Sequence, residues 1–169
     1  MIGKEKRQAA VIEITDMTCE DLEDVLSIER VSFPTPWSKS MFMEELYSPM
    51  SRNLVAKIQG EQGKEIAGYM NFWIAAGEVH IHNIAVKENL RRTGVASRLV
   101  TEMIRLSCAE GATWATLEVR RSNESARKLY EKFGFVVRGI RPLYYTDPQE
   151  DALIMWAYLR GCLKKIHHE

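Results

Sequence analysis

The chain has 169 residues and a mass of 19.4 kDa, which fits one domain. Apolar residues make up 46% and charged residues 27%, so the chain can bury a core, and a disordered or fibrous protein is excluded. The 23 basic and 23 acidic side chains cancel at neutral pH, which argues against broad electrostatic binding to nucleic acid or anionic lipid.

The cysteines indicate a reducing environment. Cys19, Cys108 and Cys162 are odd in number and far apart, which argues against a disulfide framework or a thiolate zinc site. No stretch reaches the ~18 uninterrupted apolar residues that a membrane span needs. We therefore expect a cytoplasmic protein without a membrane-spanning segment.

The chain ends differ from its middle. Residues 1–10 carry charges without an apolar segment behind them, so they do not resemble a signal peptide and are expected to be a flexible extension. Residues 11–160 are expected to form a single domain. Residues 161–169, which include His167 and His168, are expected to be a basic tail.

The first part of the chain predicts a strand and two helices. Residues 11–15 read as a strand, and Thr18 with Asp21 forms a capping signal for a helix that runs to about Arg30. Pro34 and Pro36 exclude a helix between the two. Ser38 is the expected N-cap of the second helix, with Trp37 and Phe42 placed to form a hydrophobic staple and the helix ending near Tyr47.

The remainder predicts strands and helices in alternation. Three strands joined by tight turns read as an antiparallel meander, at 53–59, 65–75 and 78–86. Two helices are expected, at 95–110 and at 123–133. Each ends just before a glycine, the first before Gly111 and the second before Gly134. Three further strands are expected at 113–119, 135–140 and 152–159. The order β-α-α-β-β-β-α-β-α-β-β predicts an α/β protein with a mixed sheet, whose central β-α-β step joins parallel strands.

The strand at 79–86 predicts a bulge. Its apolar positions run 79, 81 and then 84, 86, a phase slip of one residue that an extra residue in the strand would cause. A bulge leaves backbone N–H groups available to a ligand carbonyl. The alternative is a strand buried on both faces, and the pattern alone does not decide between them.

The loop that follows has features of an anion site. Arg91 and Arg92 add positive charge, and Gly94 and Ala96 allow close approach to the first turn of a helix, which suits a pyrophosphate. The loop is neither a Walker A sequence nor a dinucleotide GxGxxG motif. The alternative is a basic helix entry without a ligand.

Three further residues are candidates for a functional role, and each of them also has an ordinary structural explanation. Glu118 interrupts an apolar parallel strand, which indicates a cleft and a general base, although a half-exposed strand face explains it equally well. Tyr130 shares a helix face with apolar residues and is readily a core aromatic. Asn123 is readily an N-cap.

Taken together, these segments resemble the GNAT family of N-acetyltransferases. Arg-x-x-Gly-x-Ala at 91–96, after an Asn-Ile-Ala-Val strand end, is similar to its coenzyme A pyrophosphate motif. Leu-Glu-Val-Arg at 117–120 and Leu-Tyr-Glu-Lys-Phe-Gly-Phe at 129–135 are similar to its later motifs. The segments at 33–38 and 141–155 resemble the RimI branch, the ribosomal-protein alanine N-acetyltransferases. The resemblance spans about residues 11–159. Arg91 and Ala96 stand where glutamine and glycine are common.

The resemblance implies a site for acetyl-CoA as cosubstrate, in a gap between two splayed parallel strands and without a metal. The main chain of Ile84, Ala85 and Val86 would take the pantetheine arm and the thioester carbonyl. Glu118 would be the base, directly or through water, and Tyr130 the acid. The implied pyrophosphate and coenzyme A contacts are Arg91, Arg92, Thr93, Gly94, Val95, Ala96, Ser97 and Asn123.

The acceptor is expected to be the N-terminal amine of a protein, by resemblance a ribosomal protein. An α-amine with a pKa of ~7.8 is about one-tenth neutral at pH 7, whereas a lysine at ~10.4 is neutral less than once in a thousand. One carboxylate therefore suits an α-amine better. The residues expected to line the peptide side are Trp37, Tyr144, Tyr145 and Asp151, with Asp147 and Glu150 as further acids that could attract the ammonium. Surface turn residues are the alternative for each.

Other functions remain open at this point. A GNAT-fold enzyme could acetylate a small amine, such as a polyamine, or the chain could be a coenzyme A-binding module without turnover. The presence of both Glu118 and Tyr130 argues against the second. His80 and His82 share a strand face as some zinc ligands do, but no third ligand is nearby in the sequence.

Overall fold

The computed structural model describes residues 11–60 and 63–166, with side chains as far as residue 163. The expected extension at 1–10 and the pair His167 and His168 lie outside the described residues. The strands are β1 Glu13–Asp16, β2 Ser51–Gly60, β3 Gly63–Ala75, β4 Glu78–Val86, β5 Trp114–Arg120, β6 Val136–Thr146 and β7 Gln149–Tyr158. The α-helices are α1 Leu22–Ser32, α2 Lys39–Tyr47, α3 Val95–Ala109, α4 Glu124–Lys132 and α5 Leu159–Ile166.

The described strands form one mixed sheet in the order β1-β2-β3-β4-β5-β7-β6. Neighbouring strands are antiparallel except β4 and β5, which are parallel and are joined through α3. The predicted α/β class and mixed sheet are confirmed. In the described ranges no helix is long and apolar enough to cross a membrane.

The helix starts follow the predicted caps. The Thr18 N–H donates to Asp21 Oδ2 at 2.9 Å, which completes the capping box before α1. Ser38 Oγ accepts from the Met41 N–H at 3.3 Å at the start of α2. The rings of Trp37 and Phe42 lie 5.3 Å apart, as the staple requires.

The two faces of the sheet bury separate apolar cores. The core on one face contains buried residues of α3, among them Leu99 and Met103, together with Tyr130 of α4. The core on the other face contains residues of α1 and α2, such as Leu22 and Phe42, and Tyr69 of β3. Side chains alternate between the faces along each strand, so the face of any strand residue follows from its neighbours.

Two sequence expectations at the C-terminal end are wrong. Residues 161–169 were expected to be a basic tail, but Leu159–Ile166 form α5, in which Leu159 and Cys162 are buried and which packs against α3. The segment 141–151, which lies between the expected strands at 135–140 and 152–159, is mostly strand as well, because β6 extends to Thr146 and β7 begins at Gln149. The polar composition of this segment favours a loop, but antiparallel pairing between β6 and β7 makes it a strand.

Candidate functional site

Strand β4 contains the predicted bulge. Asn71 of β3 pairs with Asn83, and the next residue, Phe72, pairs with Ile81, so His82 has no partner on β3. Ile81 and Ile84 pack against the α3-side core. The side chains of His82 and Asn83 therefore both project from the other face, where α1 and α2 lie.

Strands β4 and β5 separate beyond the bulge. They pair only from Glu78 to Ile81 on β4, opposite Trp114 to Leu117 on β5. Both strands continue after that point, β4 to Val86 and β5 to Arg120. Ile84, Ala85 and Val86 bond to β3 on one side and have no strand partner on the β5 side within the described residues. Apart from Val86 O, which accepts from Arg91 Nε, the main-chain groups that face that side are available to a ligand.

The loop after β4 leads into the N-terminus of α3. Arg92 and Gly94 have positive φ angles of 65° and 93°, and residues 91–94 are exposed. Arg91 Nε donates to Val86 O at 3.3 Å, and Thr93 Oγ1 donates to Leu90 O at 2.6 Å. The N–H groups of the first helical turn, which includes Val95, Ala96 and Ser97, have no partner within the helix and carry its positive dipole end.

Asn123 is the N-cap of α4. Its Oδ1 accepts from the Ala126 N–H at 3.1 Å, as the ordinary structural explanation predicts. That bond uses the oxygen and leaves the amide NH₂ group to bind another partner.

Glu118 lies on β5 at the start of the separated region. Its neighbours Leu117 and Val119 belong to the α3-side core, so the Glu118 side chain projects from the α1/α2 face. The carboxylate is partly exposed, and Oε1 lies 3.5 Å from Nη1 of Arg141. It is thus on the same face of the sheet as His82 and Asn83.

Tyr130 approaches from the opposite face. It is 4% exposed, its ring lies 5.4 Å from that of Phe135, and burial raises its pKa above that of a free phenol. The Tyr145 hydroxyl donates to Glu118 O at 3.4 Å, and Tyr145 also contributes to the raised pKa of Tyr130. Glu118 and Tyr130 therefore lie on opposite faces of the sheet, and Tyr145 interacts with both residues.

The aromatic residues expected on the peptide side divide into two groups. Trp37 precedes α2, and its ring lies 6.3 Å from that of His82. Tyr144 and Tyr145 lie on β6 with their rings 5.1 Å apart and edge to face. The guanidinium of Arg120 lies 4.1 Å from the Tyr145 ring, and burial raises the pKa of Tyr145 to about 12.

The acids of the β6–β7 hairpin are engaged within the protein. Asp151 accepts from the Leu143 N–H at 2.9 Å and lies 3.7 Å from Arg121. Glu150 lies 3.5 Å from Arg120 and accepts from the Ser122 N–H and hydroxyl. Each of these carboxylates has an arginine beside it, which weakens the expectation that it attracts an ammonium. The main-chain carbonyl of Asp147 accepts a hydrogen bond from the Arg120 guanidinium.

Sequence reasoning missed a buried carboxylate beneath the bulge. Glu29 of α1 is fully buried and accepts from the Trp37 N–H at 2.8 Å, the Asn83 amide at 3.5 Å and the Tyr69 hydroxyl. Burial raises its pKa. The available signal was its position on the apolar stripe of α1, one turn after Leu26.

The two histidines of β4 have different surroundings. His80 Nε2 lies 3.6 Å from Glu78 Oε2, whereas the His82 ring packs against Trp73. Across residues 11–60 and 63–166, no group of three or more His, Cys, Asp and Glu side chains is placed to hold a metal ion.

The sequence matches one family model and is similar to named proteins over most of its length. The model of the Acetyltransferase (GNAT) family matches residues 22–135. A Bacillus subtilis protein provisionally named as a ribosomal protein bS18-alanine N-acetyltransferase is 41% identical over 152 residues, 89% of this chain and 96% of its own length. The Escherichia coli K12 protein named ribosomal protein bS18-alanine N-acetyltransferase is 31% identical over 144 residues, 84% of this chain and 94% of its own.

A solved structure agrees with these matches. The crystal structure of the ribosomal-protein-S18-alanine N-acetyltransferase from Escherichia coli superposes with a TM-score of 0.79 and 30% identity. The superposition covers 88% of this chain and 94% of that one.

Proposed function

Since the chain belongs to the GNAT family of acetyltransferases, we propose that it transfers the acetyl group of acetyl-CoA to the N-terminal α-amine of a protein. The names of its relatives favour the N-terminal alanine of ribosomal protein bS18 as the acceptor. The observation that carries the proposal is the separation of β4 from β5 after Ile81, beside Glu118.

The chain's own groups fit the donor acetyl-CoA. The unpaired main chain at 84–86 offers N–H groups to the pantetheine amides and to the thioester carbonyl. Arg91, Arg92 and the first-turn amides of α3 combine positive charge with free N–H donors, as a pyrophosphate requires. The amide of Asn123 is a further donor. Val95 contributes only main chain, because its side chain is buried.

Glu118 suits the role of base on the amine. It lies on the face where α1, α2 and the β6–β7 hairpin would admit a peptide, and it is exposed enough to reach water. The difference of ~2.6 pKa units between an α-amine and a lysine corresponds to about 3.5 kcal/mol of deprotonation. A single carboxylate is therefore matched to an N-terminus and poorly matched to a lysine side chain.

Tyr130 suits the leaving thiolate on the opposite face. A phenol at ~10 is already a weaker acid than a thiol near ~8.5, and burial raises the pKa of Tyr130 further. Full proton transfer to sulfur is therefore uphill, so we assign Tyr130 a hydrogen bond that strengthens as charge develops on the thiolate. Base and acid act on different atoms, the amine nitrogen and the sulfur, which is consistent with their positions on two faces.

The reaction is proposed to occur in the cytoplasm. None of the three cysteines, all of which lie in the described part of the chain, forms a disulfide. Thiols of this kind persist in a reducing compartment.

A steady-state assay of coenzyme A release tests the proposal. Peptides beginning with Ala, Ser and Met are compared with spermidine and free lysine, and the Ala peptide blocked at its N-terminus is the matched control. We expect the highest kcat/KM for the Ala peptide and no turnover of the blocked one. A higher kcat/KM for spermidine would favour a small-amine acetyltransferase, and acetyl-CoA binding without turnover of any amine would favour a non-catalytic module.

A further inference from the structure

Glu29 is a carboxylate at a position where the fold itself favours an apolar side chain. It lies on the apolar stripe of α1 and is fully buried. Burying a carboxylate costs solvation free energy, which an apolar side chain at the same position does not lose. Replacing a buried charged group by a well-packed apolar one is often neutral or stabilising. Stability alone therefore does not explain a carboxylate here.

The Glu29 carboxylate accepts from donors on three separate elements. Oε1 accepts from the Trp37 N–H at 2.8 Å and from the Asn83 amide at 3.5 Å, and Oε2 accepts from the Tyr69 hydroxyl. Trp37 belongs to the linker between α1 and α2, Tyr69 belongs to β3, and Asn83 belongs to the bulge of β4. One buried side chain therefore connects the linker to the sheet.

The linker, residues 33–38, has few other hydrogen bonds that fix its position. Pro34 and Pro36 have no N–H to donate. Apart from the N–H of its first residue, which bonds back to α1, the Trp37 N–H is the one main-chain donor of the linker with a hydrogen-bond partner in the described part of the chain. That partner is Glu29, so loss of the carboxylate would leave the linker free to shift.

The Trp37 ring forms a wall beside the candidate base. It lies 5.3 Å from the ring of Phe42, which in turn meets the ring of Tyr69 edge to face at 5.5 Å. It also lies 6.3 Å from the ring of His82, on the face of the sheet from which Glu118 projects. A shift of the linker would therefore move an aromatic side chain on the acceptor side of the site.

Asn83 brings the same network to the donor side. It immediately precedes residues 84–86, whose main chain is assigned to the thioester and the pantetheine arm. Those residues pair in register with β3, so the sheet holds them independently of Glu29. Glu29 thus contacts both the acceptor wall and the residue next to the donor segment.

We propose that Glu29 is a positioning residue for acetyl transfer, which holds the Trp37 wall at a fixed distance from the main chain at 84–86. It is fully buried and acts through Trp37 and Asn83 without touching either substrate. Attack requires the amine nitrogen about 3–3.5 Å from the thioester carbon, and a misplacement of about 1 Å can cost about 100-fold in rate. This role rests on the proposed function, since it requires an amine acceptor beside Trp37.

Two substitutions of Glu29 separate its hydrogen bonds from its volume. Glu29→Leu keeps a side chain of similar size and removes all three bonds. Glu29→Gln keeps an oxygen that accepts from Trp37 and Asn83, and its NH₂ group can donate to the Tyr69 hydroxyl. A positioning role therefore predicts a large loss of activity for leucine and rescue by glutamine.

Asp21→Leu is the matched control for loss of a buried carboxylate. Asp21 lies at the start of α1, where it accepts from the Thr18 N–H at 2.9 Å and pairs with Lys57 at 2.9 Å. None of these partners belongs to the linker or to the bulge. The control should therefore lower Tm without changing the reaction.

The experiment measures kcat and KM for the Ala peptide, and the Kd of acetyl-CoA by isothermal titration, well below the Tm of each variant. The binding stoichiometry gives the folded fraction to which kcat is normalised. For Glu29→Leu we expect kcat/KM for the peptide to fall by about 10- to 100-fold while the Kd of acetyl-CoA is unchanged. We expect Glu29→Gln to recover most of the wild-type kcat/KM and Asp21→Leu to retain all of it.

Several results would overturn the positioning role. Wild-type kcat/KM per folded molecule in Glu29→Leu, with a lower Tm, would show that the carboxylate only stabilises the fold. A parallel loss of acetyl-CoA affinity would show that it supports the donor site, and equal impairment of the leucine and glutamine variants would exclude the hydrogen bonds as the cause.

A second variant decides if Glu29→Leu does not fold. Glu29→Asp keeps the carboxylate but shortens its reach to the linker by one methylene group. We expect a lower kcat/KM for the peptide at unchanged acetyl-CoA affinity, and a wild-type value would contradict the inference. A wild type that acetylates no peptide refutes the proposed function itself, an outcome distinct from all of these.

Discussion

Gly68 determines how closely β3 approaches the segment proposed to hold the pantetheine arm. It pairs with Val86, and a Cβ built on it would lie 2.7 Å from Ala85 O, 3.1 Å from Val95 Cγ1 and 3.3 Å from Val86 Cα. Ordinary van der Waals contact begins at 3.4 Å, and the Ala85 oxygen is backbone and cannot rotate away. Gly68→Ala must therefore move β4 or the start of α3 by several tenths of an ångström.

The size of the effect follows from this displacement. Overpacking of this kind costs about 1–3 kcal/mol of the free energy of unfolding. For a domain of this size that corresponds to a fall in Tm of roughly 2–12 °C. Because the moved atoms are those assigned to acetyl-CoA, its Kd is expected to rise by about tenfold or more, since displacements near 1 Å at such sites can cost about 100-fold in rate.

Isothermal titration with acetyl-CoA and thermal unfolding measure both effects on the same sample. Gly139→Ala is the matched control, because the new Cβ would meet only the flexible end of the Ile154 side chain at 3.3 Å. We expect wild-type affinity in the control. If Gly68→Ala also binds acetyl-CoA with wild-type affinity while folded, the assignment of residues 84–86 to the cofactor is wrong.

Three further predictions follow from the site. Glu118→Gln and Tyr130→Phe should lower kcat without changing the Kd of acetyl-CoA, and weakened cofactor binding in either would contradict the assigned roles. Tyr144→Ala and Tyr145→Ala should raise the KM of the peptide more than that of acetyl-CoA; an unchanged peptide KM would remove these residues from the acceptor site. Burial raises the pKa of Glu29 in the folded state, so its stabilising contribution is complete below the unfolded value of 4.5 and is lost as pH rises through the folded pKa. Chemical denaturation of the wild type and of Glu29→Gln should therefore differ in pH dependence, with the wild type losing stability relative to the variant above about pH 4.5; parallel curves would show that Glu29 does not titrate in this way.

Local patterns in the sequence were sufficient to predict the parts of the fold that local physics determines. The phase slip between Ile81 and Ile84 indicated the bulge, because side chains in a strand alternate and one extra residue shifts the pattern, but a strand buried on both faces fitted it equally and the structure decides between them. The caps at Thr18 and Ser38 were predictable because the first N–H groups of a helix need acceptors nearby in the chain.

The features that sequence reasoning missed depend on distant contacts. Helix α5 has a short apolar face whose burial depends on packing against α3, so its sequence resembles a basic tail. The bulged part of β6 is held by Asp151, which accepts from Leu143, a residue with a positive φ of 53°, so a polar segment becomes a strand. The role of Glu29 depends on donors 8 to 54 residues away in the chain. No local pattern contains that information.

A crystal structure of the protein with coenzyme A and an N-terminal alanine peptide is the most direct measurement. The account predicts pantetheine between β4 and β5, bonded to the main chain at 84–86, with the sulfur near Tyr130 and the peptide amine near Glu118. Coenzyme A bound elsewhere, or pairing of β4 with β5 continued past Ile81 in the complex, would contradict it.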